Sequence, residues 1–368
     1  MKIFSNRKNI FYFTIVCLLI FLLQTSCAEE SPSTKNLLNA LNVTSLNFCN
    51  EYVPLAKSEI KERFEKEMLL ILWDKPQVIL WFKRAHRYFP HIEKELKKNK
   101  LPDDLKYIVV IESAIRPNIG SSKGARGFWQ FIPGTAKQYG LKVSRTIDER
   151  RDIKLSTEAA VAYLKKLYSQ YESWTLSAAA YNMGARALNY EMKEQDVVDF
   201  YNLYLSLETQ RYILRIIAAK YVMKNPAKFG FNIKKSELYK PIKFDEVKIS
   251  CKYKIPLRII AQAAGTYFKK IKDLNPKFRS YYITGDHEIR IPKGTKDFHL
   301  KFQSILTEYL KNRTDQFYVV KRGDNLTTIA EQFNIRVTAL INWNQIRSRD
   351  RIYPGKRLVI FKKKIRRN

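Results

Sequence analysis

Glu112 is a carboxylate on what the sequence predicts to be an apolar helix face. The stretch from Leu101 to Ala114 opens with Pro102, Asp103 and Asp104, a helix-start signal, and stops before Arg116-Pro117. Helical spacing puts Leu105, Ile108, Val109 and Glu112 on one side. A carboxyl group so placed loses hydration, which raises its pKa and favours the protonated form that acts as a general acid near neutral pH. The competing reading is a core glutamate held by an Arg or Lys. Two downstream segments, 121–136 and 179–184, are dense in Gly, aromatic and amide residues. Gly lets the backbone approach a ligand, aromatic faces pack on pyranose rings, and Gln or Asn amides donate and accept at once. Glu112-Ser113, Gly127-Phe128-Trp129-Gln130 and Ala180-Tyr181-Asn182-x-Gly184, in that order, together read as a sugar site.

These segments resemble the soluble lytic transglycosylase superfamily, and within it the membrane-bound murein type D branch. The resemblance runs from about Leu101 to Phe231 and also takes in Tyr139-Gly140-Leu141, Asp148-x-Arg150-x-Asp152 and Glu208-Thr209-x-x-Tyr212. It implies a mainly α, lysozyme-like catalytic domain with Glu112 as the single acid/base. Ser113, Gln130, Tyr181 and Asn182 would hold the muramyl sugar, and Glu208 and Tyr212 would line the cleft. The implied reaction breaks the MurNAc-GlcNAc β-1,4 bond without water and leaves 1,6-anhydroMurNAc ends, with no cofactor. The chain departs from the pattern at Phe128-Trp129, where Leu-Met or Leu-Trp is commoner, and at Ile115, where an aromatic is usual. Both are apolar exchanges that bear on subsite shape rather than on the chemistry.

Rival readings remain beside this one. A hydrolytic muramidase needs a second carboxylate, and Asp148, Glu149 and Asp152 are the nearby acids in sequence. They are interleaved with Arg150 and Arg151 just before a predicted helix from Ser156 to Gln170, which favours an ion-pair and helix-start cluster. Glu208 follows Ser206, an N-cap type, so it reads equally as a first-turn acid meeting a helix dipole. Tyr181 and Tyr212 also read as core tyrosines with paired hydroxyls, and Asn182 with Gly184 as a helix C-terminal cap. A non-catalytic wall-binding protein is the third class.

The first residues bear on compartment. Lys2, Arg7 and Lys8 precede an apolar run from Ile10 to Leu23, followed by Gln24-Thr25-Ser26-Cys27. This is an export signal over 1–26, shorter than the roughly 20 apolar residues that span a bilayer. Small residues ahead of Cys27 resemble a lipobox, which implies lipidation of Cys27. The expected location is an outer-membrane lipoprotein facing the periplasm of a Gram-negative bacterium, with a soluble periplasmic protein as the alternative. Of the cysteines, Cys49 and Cys251 then remain to pair or stay buried. The formal charge is +32, and residues 1–26 hold three cations and no acids, which leaves +29 after the signal. Such charge attracts polyanions. The cations are spread over the whole chain without a recognised nucleic-acid module, so glycan wall and membrane, not nucleic acid, are the expected partners. His86, His91, His287 and His299 show no metal spacing, and no metal is expected.

A polar tether is expected over 27–50, a helical N-terminal segment over 51–100 and the catalytic domain over 101–235. Farther on, Phe317 to Leu326 reads as strand, turn and helix start, with two short amphipathic helices and a closing turn and strand to Ile360. This resembles a LysM module over 316–361, whose βααβ fold binds GlcNAc-containing glycans. Its expected contacts are Gly323, Asp324, Asn325, Leu326, Asn344, Pro354 and Gly355. At a constant offset of 69 residues, Leu257, Ile260, Ala261, Ile271, Asn275, Ile289 and Ile291 match Leu326, Ile329, Ala330, Leu340, Asn344, Leu358 and Ile360. A degenerate LysM-like copy is therefore expected over 247–295, without the Gly-Asp-Asn turn. A basic tail, 362–368, closes the chain.

Overall fold

The computed structural model describes residues 38–39, 41–311, 316–344, 346 and 352–360. The expected signal, Cys27 with its expected lipidation and the basic tail lie outside the described residues, as does the side chain of Cys251. No helix among the described residues is long and apolar enough to cross a membrane. The chain divides into two units, the described parts of Met1–Ile242 with Pro276–Ser280, and of Lys243–Asn275 with Tyr281–Asn368.

The first unit opens with a hairpin of β1 (Asn47–Phe48) and β2 (Glu51–Tyr52), turned by Cys49 and Asn50 at φ 53° and 69°. Residues 46–50, the end of the tether expected over 27–50, are thus folded onto the core, while 27–37 lie outside the described residues. Leu46, Phe48 and Cys49 are buried in the core, the Cys49 amide donates to Asp104 Oδ2 (2.9 Å), and Lys220 Nζ reaches Asn47 O (2.8 Å). The Cys49 thiol is free, and burial pushes its pKa far up. Polar composition signals a loop, but one Phe and one Cys per turn suffice to anchor it.

Helices α1 (Ser58–Trp73) and α2 (Lys75–Lys98) follow. Asp74 caps α2 by accepting from Gln77 N (3.1 Å), Pro76 sits in the first turn, and Lys97 and Lys98 complement the far end. Val78, Trp81, Ala85, Phe89, Ile92 and Leu96 recur at helical spacing and form the buried stripe of α2.

The predicted helix over 101–114 is divided. Asp103–Tyr107 forms a tight 3-10 turn and only α3 (Ile108–Ser113) is α-helical. Asp104 is tied to Cys49 N and Lys220 Nζ, and Lys106 Nζ to Glu93 and Asp103 (both 2.6 Å), so tertiary partners set the backbone of this turn. Next come α4 (Pro133–Gln138), α5 (Ile153–Tyr171), α6 (Trp174–Met183), α7 (Ala185–Gln195) and α8 (Leu207–Lys224). Asp152 caps α5 through Lys154 N and Leu155 N, and Ser173 and Ser206 cap α6 and α8. Ala178, Ala179 and Ala180, all fully buried, let α6 pack closely against α5 and α8. The α8 helix also packs on α1 and α3 and is the spine of one continuous core.

The second unit holds two βααβ arrangements. Strands β3 (Phe244–Pro256) and β4 (Tyr282–Pro292) pair antiparallel, Val247 opposite Ile289, with α9 (Leu257–Ala263) and α10 (Phe268–Leu274) between them. Helix α11 (Phe298–Lys311) leads to β5 (Gln316–Val319), α12 (Leu326–Gln332), α13 (Val337–Asn344) and β6 (Arg357–Ile360), with Tyr318 opposite Leu358. The 69-residue offset extends to hydrogen bonds. Asn275 Nδ2 donates to Ile271 O and Arg290 O and its Oδ1 accepts from Arg290 N; Asn344 Nδ2 donates to Leu340 O and Val359 O and its Oδ1 accepts from Val359 N. The class is thus mainly α, followed by small α+β units, as the sequence led one to expect.

Candidate active site

Helix α3 ends abruptly after Glu112-Ser113 because Ala114 and Ile115 both adopt left-handed backbone, φ 50° and 58°. The amide of Ala114 donates to Val110 O (2.9 Å) and that of Ile115 reaches back to Val109 O (3.1 Å). Left-handed geometry is costly for a β-branched residue. Full burial of the Ile115 side chain in the core compensates. Glu112 therefore sits two residues before a sharp reversal, on the same face as the fully buried Leu105, Ile108 and Val109.

From α8, Tyr212 Oη donates to Glu112 Oε1 (2.6 Å). The Glu112 side chain keeps partial access to the surface, yet its surroundings are dense enough that desolvation pushes its pKa up to about 7. The Tyr212 hydrogen bond and the positive charge of Arg215 pull it down, and the negative charge of Glu208 pushes it up. Glu208, Tyr212 and Arg215 follow one face of α8 at i, i+4 and i+7. Burial, then Glu112 itself, raises the Tyr212 and Tyr181 phenols well above their ordinary range, so both are neutral donors.

Tyr181 and Asn182 occupy the last turn of α6. Tyr181 Oη donates to Trp129 O (2.7 Å), and its ring packs on Tyr163 (5.3 Å) and Phe131 (6.0 Å). Asn182 Oδ1 accepts from Thr209 Oγ1 (3.0 Å), which joins the end of α6 to the start of α8, while Gly184 at φ 90° makes the cap. Glu208 is 70% exposed at the start of α8 and faces Lys123, 80% exposed, at 3.7 Å.

The turn around Gln130 is built from behind. Phe128 and Trp129 are buried, Trp129 Nε1 donates to Thr157 Oγ1 (3.0 Å), and Gln130 itself is left-handed at φ 50°. Gln130 Nε2 donates to Gly127 O (2.7 Å) and Ile119 O (3.3 Å), so its amide nitrogen braces the turn and only Oε1 is open. Gly127, at φ 83°, lies against Arg150 O, where a Cβ would come within 1.8 Å. Arg150 grips Asp148 with two hydrogen bonds (2.8 and 2.9 Å) and donates to Gly124 O and Phe131 O (both 2.8 Å). Ser113 is buried; its Oγ donates to Val109 O (3.0 Å) and accepts from Arg116 N (3.3 Å).

Glu112, Tyr181, Asn182, Tyr212 and Glu208 thus come together, while Ser113 faces inward as a hydrogen-bonded end of α3. Of the acids weighed as second carboxylates, Asp148 is buried under Arg150, Asp152 caps α5, and Glu149 Oε2 accepts from Lys142 N (2.7 Å). Sequence reasoning assigned no role to Arg215, Thr209 or Lys123. The helical spacing of Arg215 from Glu208 and Tyr212 was its available signal; Thr209 stood within the Glu208-Thr209-x-x-Tyr212 motif and Lys123 within the segment 121–136, but neither pattern names a partner.

In the second unit, Gly355 N donates to Val320 O (2.8 Å) and Val320 N to Lys356 O (2.9 Å), so the turns bearing Gly323–Asn325 and Pro354-Gly355 lie side by side. Gly323 and Gly355 are left-handed at φ 92° and 89°. Asp324 Oδ2 accepts from Tyr318 Oη and Lys321 N (both 2.7 Å), Asn325 caps α12, and Leu326 packs on the module's core. Asn344 needs correction as a glycan contact. Both ends of its amide are occupied holding β6 to α13.

With this geometry the chain can be compared with known proteins. Residues 89–203 match the transglycosylase SLT domain, 243–299 the LysM-like domain of lytic transglycosylase MltD, and 318–361 the LysM domain. A chain that joins an SLT domain to LysM-type modules is therefore the class in hand. In this arrangement it is similar to membrane-bound lytic murein transglycosylase D of Escherichia coli K12, with 28% identity over 293 residues, 75% of this chain. The chain spans 64% of the length of that curated relative. Solved structures similar to parts of it include the lytic transglycosylase Slt of Pseudomonas aeruginosa (22% identity, 44% of this chain and 27% of that one, TM-score 0.31). Another is the 70 kDa soluble lytic transglycosylase of E. coli (20% identity, 42% and 27%, TM-score 0.32).

Proposed function

We propose that this chain is a peptidoglycan lytic transglycosylase that cuts the MurNAc-GlcNAc β-1,4 bond without water and leaves 1,6-anhydroMurNAc ends. The observation that carries this is Glu112, a carboxyl group raised to about 7 and held by a neutral tyrosine. With Tyr212 Oη on Oε1, Oε2 is the oxygen free to carry the proton. Protonated Glu112 gives that proton to the glycosidic oxygen as the bond to C1 breaks, and developing positive charge at C1 is stabilised by the sugar's acetamido oxygen and the dipoles of the cleft. The resulting carboxylate, steadied by the Tyr212 hydrogen bond and Arg215, then takes the proton of the same sugar's C6 hydroxyl, and O6 closes onto C1. One group serves as acid and then as base because the proton it gives up in the first half-reaction is replaced by the one it takes in the second, so the two together return it to its starting form.

Tyr181, Asn182, Gln130 Oε1 and Glu208 supply the polar lining for the muramyl sugar. Among the acids weighed, the fixed partners of Asp148, Glu149 and Asp152 argue against the hydrolytic alternative. The module at 316–361 holds glycan strands through the paired turns at 323–325 and 354–355. The export signal and Cys27 support a lipoprotein of the outer membrane facing the periplasm. Mass spectrometry of digests of purified sacculi tests the reading. Anhydro ends that vanish in Glu112→Gln are expected; reducing ends, heavier by one water, would mark a muramidase, and intact sacculi a binding protein.

A further inference from the structure

Two arginines converge just past the catalytic acid without a carboxylate between them. Arg84, from the middle of α2, donates through Nη1 to Ala114 O (3.0 Å), and Arg116 donates through Nε to Ser113 O (3.1 Å). They are close enough that Arg116, after burial, lowers the pKa of Arg84, which tyrosines rather than acids offset. Among the described residues neither guanidinium has an acidic partner. Elsewhere in the same unit Arg150 grips Asp148, and Arg211 and Arg215 share Glu67. The same face of α2 adds Lys83 and Arg87, which stack on the Tyr239 ring.

The two carbonyls explain how the guanidiniums are held, but each uses one donor of a five-donor fork. The rest of Arg116 is exposed. Two like charges kept together without a counter-charge are destabilising, unless an anion completes them. Planar forks match carboxylates in a bidentate fashion. Ala114 is two residues beyond Glu112, roughly 7 Å of chain at most. An anion bound there therefore belongs to whatever lies in the cleft, and the acidic part of a muramyl glycan is its peptide stem.

We propose that Arg84 and Arg116 form a carboxylate-binding fork for the peptide stem of the glycan being cut. This rests on the transglycosylase reading above and adds a preference for strands that still carry their peptides. Glycan strands with stems and strands stripped by an amidase are mixed, and the full chain competes them, with the two anhydro products separated by mass. A kcat/KM ratio of roughly tenfold in favour of stem-bearing strands is expected, the size of one or two charge-assisted hydrogen bonds. Arg116→Gln and, separately, Arg84→Gln should bring the ratio towards one. Lys166→Gln, an exposed cation elsewhere, should keep it, since the general field of a chain with net charge +32 barely changes. Equal cutting by the parent chain, or a ratio retained by both arginine variants, overturns the fork alone. Anhydro product from neither strand overturns the transglycosylase reading and the fork with it.

Discussion

At the scale of the residue, burial and one tyrosine act on Glu112 in opposite directions. The Tyr212 hydrogen bond favours the carboxylate, so Tyr212→Phe should raise the Glu112 pKa further and move the alkaline limb of the pH–rate profile from about 7 to higher pH. A limb that stays in place would mean that Tyr212 does not tune the acid. The raised pKa also affects folding. An ionised glutamate in the unfolded chain titrates near 4.5, and the folded form holds its proton to about 7. The folded state is thus unpenalised below about 4.5, loses stability as pH rises through this window, and carries the whole penalty above it. Glu112→Gln should be more stable than the parent chain at pH 8 by about 1–2 kcal/mol after allowance for solvent screening, and no more stable at pH 4. Denaturant titrations at the two pH values check this. The candidate acid was legible in the sequence as a charge out of pattern on a helix face. The inward turn of Ser113 was not, because a serine at the end of a helix has the same local sequence whether its hydroxyl bonds backbone or ligand.

At the scale of the element, the site depends on supports behind it. Gly127→Ala would push a Cβ into Arg150 O at a left-handed position, and a loss of roughly 2–4 kcal/mol is expected, with lower activity because the Gln130 turn moves. Chemical denaturation and rate measurements on the variant test both parts. At the other end of α6, Glu51 accepts from Trp174 N and from Thr175 N and Oγ1, filling the helix N-terminus. Glu51→Ala should cost about 1–2 kcal/mol in a thermal or denaturant melt, with the pH dependence of catalysis retained, since it lies the length of α6 from Tyr181. The Ser206 cap was readable because capping is local chemistry; Asp152 was read only as part of a helix-start cluster, with the helix expected from Ser156 rather than Ile153. The 3-10 turn at Asp103–Tyr107 was not, because Lys220, 116 residues away, holds Asp104.

At the scale of the whole molecule, the proposed catalysis and the proposed retention on the wall should be separable. The module at 316–361 has a core of its own, formed by Val320, Ile329, Ala330, Leu340, Ile346, Leu358 and Ile360. Removing it should weaken sedimentation with sacculi by roughly tenfold or more, through lost effective concentration, while cleavage of short soluble strands continues. Loss of both together would tie the module to the chemistry. The two modules share the same Asn-centred clamp, and a repeat of seven positions at one offset was enough to foresee the second copy. Their clamp role was hidden, since an Asn conserved in spacing reads equally as a ligand contact or as a strand tie.

The sequence alone determined the helical class, the order of units, the repeat and the identity of the candidate acid, because periodicity, capping and turn chemistry are short-range properties of neighbouring residues. Only the tertiary structure decided that Tyr212 rather than an Arg or Lys meets Glu112, that Gln130 and Asn344 brace backbone, that Phe48 belongs to the core, and that Arg84 reaches Ala114 O at the reversal near Arg116. Apart from Gln130, whose partners Gly127 and Ile119 are 3 and 11 positions away, these are meetings of residues 15 to 100 positions or more apart, where burial and competing partners, which no local pattern encodes, fix each polar group's role.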